Sequence, residues 1–91
     1  MVKNYIWNEE KNEKLKQERG VSFENVIEAI KNNQVLAITE TLNKEKYPNQ
    51  FVIIVLIRDY VYCVPYIKED NRIFLKTIFP SRKMKKQFLG E

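Results

Sequence analysis

Phe51-Val52-Ile53-Ile54-Val55-Leu56-Ile57 decides the fold. It is an unbroken apolar run in which all residues but Phe51 and Leu56 are β-branched. The run is far too short to cross a membrane. Its length and composition predict a central strand covered on both faces rather than a helix. Downstream, Asp59-Tyr60 predicts a tight turn, residues 60–67 a second strand, 68–71 another turn and 72–79 a third strand, giving an antiparallel meander. Pro65 lacks an N–H and must sit at an edge, a bulge or a position without a ladder bond. In the last strand, alternation puts Ile73, Leu75, Thr77 and Phe79 toward the core and Arg72, Phe74, Lys76 and Ile78 on the other face. Pro80 ends that strand. Ser81 is placed to cap a short terminal helix that Met84 and Phe88 would dock, leaving its charges outward.

Upstream of the run the period changes. Asn8 predicts an N-cap with Glu9 and Glu10 in the first turn of a helix to about Glu18, closed by Arg19-Gly20. This helix is very polar, with Leu15 its only aliphatic residue, so Ile6 and Trp7 just before it supply its anchor. Ser22 predicts the cap of a second helix over 23–31, with Val21 and Val26 at hydrophobic-staple spacing. Phe23, Val26, Ile27 and Ile30 form its single apolar stripe, and Asn32-Asn33 ends it. Residues 35–40 read as a weaker strand and 41–49, with Pro48, as a loop. The expectation is an α+β fold: two N-terminal helices packed on a small antiparallel sheet, then a short C-terminal helix or tail. Ninety-one residues make this one domain, 1–91.

Composition narrows the chemistry. The chain has no histidine and one cysteine, Cys63, so His-based triads, Cys/His zinc sites and an internal disulfide are all excluded. No acidic spacing suggests a metal, and the two glycines, Gly20 and Gly90, build no phosphate-cradling loop. No cofactor is expected. A lone cysteine and the absence of a signal-peptide pattern predict a reducing cytoplasm, away from any membrane.

Charge is unevenly spread. Residues 1–67 balance, and the whole net charge of +4 arises after Ile67; no acidic residue lies between Arg72 and Lys86. Such a segment attracts an anion, RNA or an acidic protein, or is simply a solvated face. Tyr60, Tyr62 and Tyr66 share one face of their strand, where they either stack bases or pack across strands. Lys76 either snorkels or serves a site on the sheet. Together, Arg72, Lys76, Arg82 and nearby Tyr66 are the best cluster for metal-independent RNA cleavage. In that reaction the 2′-OH is the nucleophile, and the protein aligns it, stabilises charge and moves protons.

Tyr5-Ile6-Trp7-Asn8-Glu9-Glu10-Lys11-Asn12, Arg19-Gly20-Val21-Ser22-Phe23-Glu24, Val64-Pro65-Tyr66 and the stretch Arg72 to Lys83 resemble the BrnT family of type II toxin–antitoxin ribonuclease toxins. The resemblance implies a RelE-like fold and a toxin that inhibits translation by cleaving RNA. It further implies neutralisation by a cognate, DNA-binding antitoxin, and an oligomer with that antitoxin which holds operator DNA. On this reading Lys11, Arg19, Tyr66, Lys76 and Arg82 are catalytic, with Arg72, Lys83, Lys85 and Lys86 binding RNA. The sequence departs from the family pattern at Arg19, in place of a histidine, at Asn8, in place of an aspartate, and at Pro80. Without that histidine the easiest proton carrier near neutral pH is gone. A catalytically inactive toxin-like module that binds protein or nucleic acid is the alternative expectation.

Overall fold

The computed structural model describes residues 4–40, 45–46 and 48–90. Part of the expected loop over 41–49 lies outside them. The chain runs β1 (Asn4–Ile6), α1 (Glu9–Arg19), α2 (Phe23–Lys31), β2 (Val35–Glu40), β3 (Gln50–Ile57), β4 (Tyr60–Lys68), β5 (Arg72–Leu75), β6 (Phe79–Pro80) and α3 (Arg82–Leu89). The fold is α+β. Among the described residues the strands form one sheet ordered β1-β5-β4-β3-β2, with β6 also on β4. The apolar run is the core of β3, paired on both sides.

Both faces of β3 are buried, as its composition requires. On the first face Ile53, Val55 and Ile57 join Val64, Tyr66, Ile73 and Leu75, beneath Leu15 of α1 and Phe23, Val26 and Ala29 of α2. On the second, Ile54, Val61 and Cys63 are covered by Met84, Phe88 and Leu89 of α3. A fully buried aliphatic or aromatic side chain contributes about 1.5–3 kcal/mol, so the first face supplies most of the stability.

The helices begin and end where their caps dictate. Asn8 Oδ1 accepts from Lys11 N, and Gly20 closes α1 at φ +68°, a left-handed conformation that glycine adopts without strain. Ser22 and Asn25 form a reciprocal capping box at α2. One further contact joins the two helices. Asn12, fully buried, accepts from Phe23 N at 2.8 Å through Oδ1 and donates to Glu24 Oε1 at 2.8 Å through Nδ2. A side chain of α1 thereby satisfies a first-turn N–H of α2 that no intrahelical bond reaches. Trp7 stacks on Phe23 at 5.6 Å between centroids, anchoring the chain ahead of α1.

Three expectations are corrected. The sheet is mixed, because β1 runs parallel to β5 with Tyr5 opposite Ile73; three residues at the start of the chain are too few to show a period. The hairpin turn is Arg58-Asp59, both at positive φ, and Tyr60 already pairs with Ile57. Positive φ at both central residues gives a two-residue turn whose twist suits the flanking strands. Lastly, the third strand does not run through to Phe79.

Pro65 is the physical reason for that break. Lys68 N donates to Asn49 O, so alternate residues of β4, including Tyr66, bond toward β3, and Pro65 faces β5 instead. Lys76 N donates to Pro65 O at 2.9 Å, but Pro65 has no N–H to return, and β5 stops at Leu75. Pairing resumes at Cys63↔Phe79. The chain thus advances three residues, Lys76 to Phe79, where β4 advances two, Pro65 to Cys63. That extra residue reverses the alternation. Ile78 is fully buried in the first core, and Phe79 is 39% exposed.

Candidate nucleic-acid interface

Three segments distant in sequence meet at the end of the sheet where β3 turns into β4. The first is the C-terminal end of α1. Arg19 donates from Nη1 to the carbonyl of Ile78, in the stretch between β5 and β6 where pairing with β4 is interrupted. The second is the hairpin. Arg58 donates from Nη1 to Gly20 O at 2.8 Å, tying the turn to the end of α1. The third is the entry to α3. Ser81 N donates to Val61 O at 3.0 Å, and Ser81 Oγ accepts from Met84 N, so the cap that starts α3 is pinned to β4. From the next turn of α3, Lys85 places Nζ 4.7 Å from the centroid of the Tyr60 ring, which meets Tyr62 edge-on at 5.7 Å. Each guanidinium carries five N–H donors and uses only part of its fork in these bonds.

Not all the residues singled out in the sequence come together. Arg19, Arg82, Lys83 and Lys85 belong to this convergence. Lys11 lies two turns earlier on α1, about 12 Å along the axis from Arg19, so the two serve different points of any bound strand. Arg72 pairs with Glu69 at 2.9 Å. Lys76 is opposite Pro65, on the second face of the sheet, and donates to Gln50 Oε1 at 3.4 Å. The residue is exposed. Lys86 is exposed near the far end of α3. Tyr66 is buried in the first core, stacked on Phe51 at 5.6 Å. Burial, with a smaller effect from Tyr5, pushes its phenol above the ordinary range, so it packs as a neutral ring.

α3 is built against its own electrostatics. Its first turn has no acidic residue and contains Arg82 and Lys83 at the positive end of the helix dipole. Arg82–Lys85, Arg82–Lys86 and Lys83–Lys86 also fall at i,i+3 or i,i+4, where like charges destabilise a helix by a few tenths of a kcal/mol each. These placements cost helix stability and leave the entry to α3 electropositive.

Arg58 is the member of this group that sequence reading missed. Its only signal was a charged residue ending a seven-residue apolar run, which also fits an ordinary turn. An adjoining concavity is lined by Asn25, Glu28, Asn32, Gln34, Arg58 and Asp59. Its two carboxylates make it unsuited to a phosphate. Among the described residues no group of three Cys, Asp or Glu side chains is placed to hold a metal, and no helix is long and apolar enough to cross a membrane. Comparison with protein-family models, curated proteins and solved structures gives no match.

Proposed function

We propose that this protein is an RNA-directed toxin of the kind its sequence resembles, acting on the RNA backbone where the end of α1 meets the entry to α3. The observation that carries this is the Arg19–Ile78 hydrogen bond. It joins residues 19–24 to residues 72–83, two of the separate stretches on which the resemblance rests. A basic edge with an aromatic ring beside it suits a single strand, phosphates going to Arg and Lys and bases to the ring.

In the proposed reaction the 2′-oxygen attacks the adjacent phosphorus and loses its proton, while the 5′-oxygen leaves and gains one. The products are a 2′,3′-cyclic phosphate and a 5′-hydroxyl. Arg82, with a fork that can hold two phosphate oxygens, stabilises the charge gathered on the phosphoryl group, and Arg19 positions the strand. Lys83, Lys85 and Lys86 steer RNA toward the site. A cytoplasmic antitoxin with acidic residues would cover the same surface, and its DNA-binding part would bring the complex to operator DNA.

Cleavage of RNA in the presence of a chelator, abolished by Arg82→Ala with melting unchanged, supports this function. A second proposal, a toxin-like module that binds without cutting, is favoured by the burial of Tyr66 and the lack of histidine. Salt-dependent RNA binding with no product on prolonged incubation selects it.

A further inference from the structure

We infer that Tyr60, with Lys85, forms a subsite for one unpaired nucleotide, its base stacked on the Tyr60 ring. This rests on the RNA reading above and specifies which form of RNA the surface takes. Among the described tyrosines, Tyr5, Tyr62 and Tyr66 pack into the first core, whereas Tyr60 belongs to neither core. Tyr60 is partly buried at the outer end of β4, where its contacts are with Tyr62 and Lys85 rather than with either core.

The surroundings of Tyr60 are those of a nucleotide rather than of an apolar partner. Lys85 Nζ is 4.7 Å from the ring centroid, and Tyr62 supports the ring edge-on. Arg58 precedes Tyr60 by two residues and ties the turn to Gly20, beside Arg19. A ring flanked by cations attracts a planar, electron-poor base attached to a phosphate. Lys85, whose ammonium lies over the ring, supplies a positive charge beside the phosphate of a base held there. A base held in a duplex has both faces covered by its neighbours and cannot use the ring, so the subsite selects single strands.

The test measures binding of a short 2′-O-methylated RNA, which cannot be cut, beside an abasic strand of the same length and charge. Tyr60→Leu, which keeps an apolar strand residue but has no π-face, should weaken binding of the RNA on the order of tenfold or more. It should leave the abasic strand unchanged. Tyr60→Phe should bind both as the native protein does, and Lys85→Ala should weaken both. Equal loss on both strands with Tyr60→Leu, or no loss on either, overturns the subsite while leaving the RNA reading in place. Failure of the native protein to bind either strand overturns the RNA reading, and the subsite with it.

Discussion

Arg19, the last residue of α1, donates to the carbonyl oxygen of Ile78, 59 residues further along the chain. That carbonyl lies in the three-residue stretch where Pro65 has broken the ladder, beside a fully buried Ile78 side chain. The guanidinium stands in for the strand partner that this part of the chain lacks. Arginine supplies both the bond and a permanent charge.

Removing it should therefore act on stability as well as on RNA. Arg19→Ala is expected to cost about 1–2 kcal/mol, the loss of a hydrogen bond from a charged donor at a partly buried site. Denaturant unfolding measures the loss. Hydrogen exchange should place it at residues 76–81 rather than at α1.

Asn12 is the second coupling between distant parts. Asn12→Ala leaves Phe23 N–H buried without an acceptor and should destabilise by about 1–3 kcal/mol. The hydrogen bond from Asn12 holds the Glu24 carboxyl below its ordinary value of 4.5. A depressed folded pKa means that this contribution is complete above 4.5 and is lost as pH falls through the folded value. NMR titration should find Glu24 low in the native protein and restored toward 4.5 in Asn12→Ala.

The basic entry to α3 predicts a trade between stability and binding. Lys83→Glu places a carboxylate at the positive end of the helix dipole and removes a like-charge contact with Lys86, so it should stabilise by about 0.5–1 kcal/mol. The same change should weaken RNA binding and make its salt dependence shallower by about one unit of slope. A rise in melting temperature with unchanged binding would assign the lysine to solvent alone.

Cys63 reports on the docking of α3. Burial pushes its thiol above the ordinary range, with a smaller opposing effect from Ser81, and Met84, Phe88 and Leu89 cover it. A thiol reagent should label it slowly near neutral pH. Phe88→Ala, which removes about 1–2 kcal/mol of half-buried packing, should speed labelling roughly tenfold or more.

Much of this fold was legible in the sequence because local signals agreed with the tertiary answer. Asn8, Gly20 and Ser22 set the helix ends, and residues 51–57 set the sheet. What could not be read came from relations between distant residues. Nothing near Asn12 says that it will cap the helix after its own. The consequence of Pro65 appears only opposite Lys76, where a missing N–H ends β5 and exchanges Phe79 for Ile78 in the core. The candidate site was legible in its C-terminal charges. Tyr60 and Tyr66 look alike in an alternating strand, and only the end of the sheet separates the partly buried ring from the fully packed one.

The most direct test titrates isotope-labelled protein with 2′-O-methylated single-stranded RNA and follows the backbone amides by NMR. The proposal predicts shifts concentrated at Arg19, Gly20, Tyr60, Ser81, Arg82 and Lys83, increasing as salt is lowered. Shifts confined to Gln50, Phe74 and Lys76 on the second face, or none at any salt, would contradict it.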